Sequence, residues 1–82
     1  GSGARIRNNK VHENGANGIS IATQSNVEII KNNITDNKKK GLYIQYSNEV
    51  SAINNNLTGN CRGIKVENSH QIYLKNNYIW IV

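Results

Sequence analysis

Apolar and polar residues alternate along this chain in short stretches, and the stretches return at a fixed interval. An apolar residue is followed by asparagine three positions later, by another apolar residue at five and by a second asparagine at eight. This phrase occupies residues 6–14, 29–37 and 52–60, and it starts again at Leu74. Three sets of markers return every 22 or 23 positions: asparagines Asn9, Asn32, Asn55 and Asn77, glycines Gly18, Gly41 and Gly63, and serines Ser25, Ser47 and Ser69. The chain is therefore an internal repeat.

Within one repeat the apolar positions alternate with period two in three separate places. One repeat, for example, contains Ile19 with Ile21, then Val27 with Ile29, then Ile34. Such short alternation in largely β-branched residues predicts strands, since no stretch is long enough for two helical turns. The residues between them are Asn, Ser, Gly, Lys and Thr, which are typical of turns. The pattern predicts an all-β chain with three short strands per repeat.

Repeated sets of three strands predict a coil whose rungs stack as parallel sheets about 4.8 Å apart. Equivalent apolar residues then lie above one another and bury a continuous column that no rung could bury alone. The expected rows are Ile19, Leu42 and Ile64; Ile21, Ile44 and Val66; and Val27, Val50 and Ile72. The chain supplies about 3.5 rungs, and the handedness rule for connections between parallel strands predicts a right-handed coil.

The first asparagine of each phrase falls in the gap between the second and third strands of its rung. Asparagine tolerates left-handed backbone geometry, and its amide both donates and accepts hydrogen bonds. We therefore expect an internal ladder along the coil, made of Asn9, Asn32, Asn55 and Asn77, with the neighbouring Asn33 facing outward. Two further rows are expected at the other corners: Asn14, Asn37 and Asn60 mark the turn after the third strand, and Ser25, Ser47 and Ser69 form a smaller polar stack.

The phrase I-x-x-N-x-V-x-x-N from Ile6 to Asn14, its copies, and the Gly-apolar-x-apolar that follows each resemble a known family. They are similar to the pectin-lyase-like right-handed parallel β-helix superfamily, and most of all to its NosD-type repeats. The resemblance covers residues 4–82; residues 1–3 are interpreted as the remnant of a cleaved tag. It implies a single-stranded β-helix in an extracellular, cell-surface or periplasmic protein. It names no activity, because members include lyases, epimerases, hydrolases and inert scaffolds.

Composition limits the chemistry. The formal net charge is +5, but three of the ten basic residues stand together at 38–40, in a predicted loop. The single Cys61 excludes an internal disulfide, and neither histidine has the spacing of a zinc site. No apolar run is long enough to span a membrane. Aromatic and basic residues are not interleaved as a nucleic-acid platform requires, so no specific nucleic acid is expected.

The acidic residues do not predict a catalytic site. They are Glu13, Glu28, Asp36, Glu49 and Glu67, and no two occupy adjacent outward positions on successive rungs. A carboxylate pair for glycoside hydrolysis and the aspartate clusters of calcium-dependent lyases are both missing. We expect no catalytic activity, metal or cofactor within these residues.

One sheet carries a candidate ligand surface. Tyr43 and Lys65 are outward positions on successive rungs, Tyr46 lies at the edge, and Lys40 and Arg62 come just before the two strands. Aromatic faces with basic groups favour an acidic sugar chain, by stacking and charge-assisted hydrogen bonds. An ordinary solvent-facing sheet is the alternative.

The ends of the coil suggest a partner. No amphipathic capping helix precedes Ile6, and residues 78–82 replace a polar turn with an apolar run. We expect self-association through the open ends, or a fused partner. The predicted function is a structural or ligand-presenting β-helix module. Two alternatives stay open: a piece of a polysaccharide lyase or epimerase, and a minimal engineered solenoid that self-assembles.

Overall fold

The computed structural model describes residues 3–81; Gly1 and Ser2 of the predicted tag remnant and Val82 of the apolar run lie outside this range. The described part of the chain consists of strands, turns and bends, and no helix in it is long and apolar enough to cross a membrane. The strands are β1 Arg5–Arg7, β2 Lys10–His12, β3 Ile19–Ala22, β4 Ser25–Ile30, β5 Asn33–Thr35, β6 Lys40–Gln45, β7 Asn48–Ile53, β8 Asn56–Asn60, β9 Arg62–Glu67, β10 His70–Lys75 and β11 Tyr78–Ile81.

The strands form three parallel sheets, and the chain visits the sheets in turn. Sheet A contains β1, β4, β7 and β10 in that order, sheet B contains β2, β5, β8 and β11, and sheet C contains β3, β6 and β9. Val27 pairs with Val50 and Leu42 with Ile64, so each turn of the coil takes one sequence repeat. Within residues 3–81 there are three complete rungs and a fourth with strands in sheets A and B. The predicted parallel solenoid is confirmed.

Aliphatic side chains from all three sheets fill the interior. The middle rungs are closed to solvent: Ile29, Ile34, Leu42, Ile44 and Leu57 are fully buried. The strand registers place the three predicted apolar rows as expected, each residue above its equivalent in the next rung. Burying this apolar column is the main favourable term in the stability of the stack.

The predicted asparagine ladder lies at the corner between sheets A and B. The main-chain N–H and the Nδ2 of Asn32 both donate to Oδ1 of Asn55, at 2.9 and 3.0 Å, and Nδ2 also donates to the carbonyl of Ile6 at 2.9 Å. The same contacts join Asn9 to Asn32 and Asn55 to Asn77. Each amide therefore satisfies its own buried polar atoms and one main-chain N–H of the rung before it.

The left-handed residue at this corner is not the asparagine itself. It is the residue before it: Asn8, Lys31, Asn54 and Asn76 have φ between 53° and 57°. The prediction assigned the left-handed conformation to the ladder residues, and this was wrong. The bend directs the next side chain inward, where only a group that donates and accepts hydrogen bonds can serve the stacked turns. The outward residue can be a lysine, because its side chain points to solvent.

A second ladder, which was not predicted from the sequence, lies between sheets B and C. Asn37 donates from its main chain and from Nδ2 to Oδ1 of Asn60, at 3.0 and 2.8 Å. Asn14 donates to Asn37 in the same way. Asn60 closes the row by donating to the carbonyl of Ile34 at 3.0 Å. These asparagines do mark the predicted turn, but they also hold it together from inside, since Asn37 and Asn60 are buried.

The third corner, between sheets C and A, contains the polar row that was predicted as a stack of three serines. Two of the three serines are in this row. The N–H of Ser47 donates to the hydroxyl of Ser69 at 3.0 Å, and the N–H of Gln24 donates to Ser47 at 3.2 Å. Ser25 is not in this row; it pairs with Asn48, one residue further along sheet A. The equal spacing of the three serines misassigned Ser25, because the first of the two intervals is one residue longer in the structure than the second.

Candidate functional site

The outer face of sheet C brings together most of the residues predicted to bind a ligand. β6 and β9 pair in parallel, so Lys40 lies beside Arg62 and Tyr43 beside Lys65. Ser20 of β3 continues the Tyr43 row toward the N-terminal end. Alternation along each strand turns Ser20, Tyr43 and Lys65 outward while Leu42 and Ile44 fill the core. Lys40 and Arg62 are the first residues of β6 and β9, at the edge of this face. We call Lys40, Tyr43, Arg62, Lys65 and Glu67 the sheet C cluster.

Tyr43 and Glu67 form the closest polar contact of the sheet C cluster. The Tyr43 hydroxyl donates to a carboxylate oxygen of Glu67 on the next rung. This hydrogen bond raises the pKa of the Tyr43 hydroxyl above its ordinary value, with a smaller contribution from burial. The same bond lowers the pKa of Glu67, and the charge of Lys65 adds to that effect. At neutral pH the pair is therefore a neutral phenol bound to an ionised carboxylate.

The cations of the sheet C cluster are not equivalent. The Nζ of Lys65 lies 3.7 Å from Glu67, which partly neutralises its charge. The Nζ of Lys40 instead lies over the ring of Tyr43, 4.8 Å from the centroid. Within residues 3–81 neither Lys40 nor Arg62 has a carboxylate within ion-pair distance. Within the sheet C cluster, the positive charge that no carboxylate neutralises therefore lies at the start of β6 and β9. This position is beside the turn that carries Lys38 and Lys39.

Tyr46 lies apart from these residues. It follows the end of β6 in the left-handed conformation, with φ of 49°, and its side chain is largely exposed at the corner between sheets C and A. There it borders a separate depression of about 380 Å³, together with Ser47, Asn48 and His70. The predicted site therefore divides into the sheet C cluster and this isolated tyrosine.

Comparison with known proteins identifies the family to which the fold belongs. A family model described as a right-handed beta helix region matches residues 1–80. The chain belongs to this right-handed β-helix family. Searches of curated proteins and of solved structures found no match to the chain. The right-handed coil that the sequence predicts agrees with the description of this family. The finer likeness to NosD-type repeats stays a prediction.

The acidic and metal-ligating residues of this β-helix are dispersed. In the range that the structure describes, no three His, Cys, Asp or Glu side chains form a group that could hold a metal ion. Glu28 pairs with Arg5 on sheet A, Glu13 contacts His12, and Glu67 belongs to sheet C. The single cysteine, Cys61, is exposed in the turn before β9.

A concave surface that the sequence did not predict lies on sheet A of this β-helix. A groove of about 630 Å³ lies on the outer face of sheet A, away from the sheet C cluster. Its side chains include Arg5, Glu28 and Ser51, which occupy equivalent positions in successive repeats. That equivalence could have shown that they form one outward row, but not that the surface beside them is concave.

Proposed function

We propose that this chain is a rigid display module of a secreted, periplasmic or cell-surface protein, and that it binds an acidic polysaccharide at the basic edge of sheet C. The observation that carries the proposal is the pairing of Lys40 with Arg62 on adjacent rungs, next to the partly exposed Tyr43. The two ladders support the display role, because hydrogen bonds inside two corners hold the rungs in one register.

The geometry suits a chain with one carboxylate after another. Lys40 and Arg62 are one rung apart, about 4.8 Å, so they offer two cations in line with the axis of the coil. Arginine can bind a carboxylate with two parallel hydrogen bonds, and lysine adds a point charge. The partly exposed Tyr43 ring, with the Nζ of Lys40 over it, adds an aromatic surface beside these two cations. Lys65 contributes less to binding, because Glu67 already partly neutralises its charge.

Titration with oligogalacturonate tests this proposal. We expect binding in the millimolar range or tighter, and a loss of about tenfold or more for the double variant Lys40→Ala/Arg62→Ala, since each removes a charge-assisted contact of over ~1 kcal/mol. Lys65→Ala should weaken binding less. Isothermal calorimetry, or NMR shifts of the β6 and β9 amides, provides the measurement.

The control is the double variant Lys10→Ala/Lys75→Ala, which removes the same charge from sheets A and B. Equal weakening by the two double variants would show attraction by net charge alone and would overturn the proposal. No binding at millimolar oligogalacturonate would do the same.

A second role, self-association, is favoured by the C-terminal end of the stack. Leu74 continues the row of Ile29 and Ala52, and Ile79 continues the row of Leu57. The row members below them are fully buried, but Leu74 and Ile79 are 46% and 43% exposed. A second copy of the chain or a fused partner can cover these apolar residues, and we infer that the 82 residues taken by themselves associate through this surface.

The direction of the ladders indicates how two copies would meet. Within each ladder, the donors of one rung point to the Oδ1 of the next. The N-terminal rung therefore presents the Oδ1 of Asn9, and the fourth rung presents the N–H of Asn77. A head-to-tail contact pairs this acceptor with this donor, whereas a contact between two C-terminal ends would oppose donors.

We expect the average mass to rise with concentration in sedimentation experiments. The double variant Leu74→Lys/Ile79→Lys should abolish this rise, because it places charges in the apolar contact. Tyr46→Lys changes an exposed aromatic residue on the side of the coil and serves as the control. A monomer at high micromolar concentration would refute self-association.

A further inference from the structure

The groove on sheet A is built by two rows of polar side chains. One row is Arg5, Glu28 and Ser51, which pair in register across β1, β4 and β7. The other is Asn26, Glu49 and Gln71, each two positions before a member of the first row or its continuation on β10. Both rows run along the axis of the coil, so the groove crosses the rungs and does not follow a strand.

The backbone of the second row departs from regular strand geometry. Asn26, Glu49 and Gln71 have φ of 54°, 56° and 53°, so the strands of sheet A are irregular at the same place on three rungs. Gly3 has φ of 75° at the equivalent place on the first rung, and its N–H donates to the carbonyl of Ser25 at 3.2 Å. The residue between the two rows turns inward, as the burial of Val27 shows. Val27 therefore lies between the two rows, and the polar side chains of both rows line the groove.

The walls offer paired donors and acceptors. Arg5 and Glu28 form an ion pair at 2.9 Å, with both side chains substantially exposed. Asn26 and Gln71 add amides, and Ser51 adds a hydroxyl. Carboxylate and amide groups can each bond two neighbouring hydroxyls, which is the pattern that a sugar ring presents. Beyond Ser51 the first row continues to Tyr73, whose exposed ring can stack on a sugar.

The charge of the groove favours a different class of ligand from the acidic one proposed for sheet C. Two carboxylates, Glu28 and Glu49, face one cation, Arg5, so a polyuronate would meet net repulsion here. A neutral chain can form the same hydrogen bonds without that cost. The rung spacing of about 4.8 Å is close to the length of one pyranose ring in an extended sugar chain. We propose that this groove binds a neutral, hydroxyl-rich oligosaccharide lying along the coil, about one sugar unit per rung.

NMR titration with cellohexaose, maltohexaose and xylohexaose tests the proposal. At least one of these neutral sugars should shift the backbone amides of residues 26–28 and 49–51 while leaving residues 62–65 in place. The double variant Glu28→Ala/Glu49→Ala should weaken that binding about tenfold or more, which corresponds to loss of roughly 1.4 kcal/mol of hydrogen bonding. Tyr73→Ala should weaken it as well.

Glu13→Ala is the control, because Glu13 also has a left-handed backbone, with φ of 55°, but follows β2 of sheet B and lies outside the groove. No amide shifts with any of the three sugars at millimolar concentration would overturn the proposal, as would binding that Glu28→Ala/Glu49→Ala leaves unchanged. Shifts confined to sheet C would also overturn it. The oligogalacturonate experiment uses another face and other variants, so either proposal can fail without the other.

Discussion

Asn55→Ala is expected to lower the free energy of unfolding by about 1–3 kcal/mol. Asn55 is 2% exposed and its amide makes four hydrogen bonds. Its Oδ1 accepts two of them from Asn32, at 2.9 and 3.0 Å, and its Nδ2 donates to Ile29 O and Asn77 Oδ1, both at 2.9 Å. Alanine removes all four bonds: the buried main-chain N–H of Asn32 loses its acceptor, and the Nδ2 of Asn32 keeps only its bond to the carbonyl of Ile6. Urea unfolding followed by circular dichroism gives the change.

The neighbouring asparagine provides the control. Asn33 faces outward, and its Oδ1 accepts one exposed bond from Asn56 at 2.9 Å. Asn33→Ala should therefore change stability by less than about 0.5 kcal/mol. If Asn55→Ala does not fold, Asn9→Ala at the open N-terminal rung keeps the comparison possible, and its cost should lie between the other two. Equal costs for the inward and outward asparagines would contradict the role of the ladder.

Gly41→Ala should destabilise the stack by about 1–3 kcal/mol, the usual cost of overpacking a filled interior. A β-carbon at Gly41 would lie 2.9 Å from the carbonyl oxygen of Gly63, and equally close to Leu57 Cδ2 and Asn60 Nδ2. The side chains could adjust, but the carbonyl belongs to the next rung and can move only if the rungs separate. Thermal unfolding of the variant is the measurement.

Gly15→Ala is the matched substitution, because no atom outside its chain neighbours lies within 4 Å of the added β-carbon. There alanine reduces the freedom of the unfolded chain and should be neutral or stabilising, by up to about 1 kcal/mol. A similar loss at both glycines would mean that the close contact between rungs does not explain why Gly18, Gly41 and Gly63 recur.

Most of the fold could be predicted from the repeat because each marker has a local physical cause. Alternation of apolar residues fixes which side chains face the core, and the period fixes which residues stack. The inward Asn32 and outward Asn33 could be distinguished by counting from Ile29 and Ile34. The errors arose at the corners, where one residue more or less leaves the apolar pattern unchanged. Ser25 was therefore placed in the row that Gln24 occupies, and the left-handed residue was placed one position late.

The candidate site was less predictable, since it depends on contacts between side chains of different rungs. The sequence placed Tyr43 and Lys65 on one face but could not show that Glu67 lies within ion-pair distance of Lys65. Because of that contact, Lys40 and Arg62 are the cations of the sheet C cluster that no carboxylate neutralises. It also could not show the second ladder, because an asparagine at a turn has the same appearance in sequence whether its side chain turns inward or outward.

By itself the sequence determined a parallel solenoid of three strands per rung, its period, its core rows and its first asparagine ladder. These follow from hydrophobic periodicity, which any stack of equivalent rungs must satisfy. Only the tertiary structure decided the bend of each corner, the pairing of charges on sheet C and the concave surface on sheet A. These depend on backbone angles and on distances between residues one repeat apart, which a one-dimensional pattern does not contain.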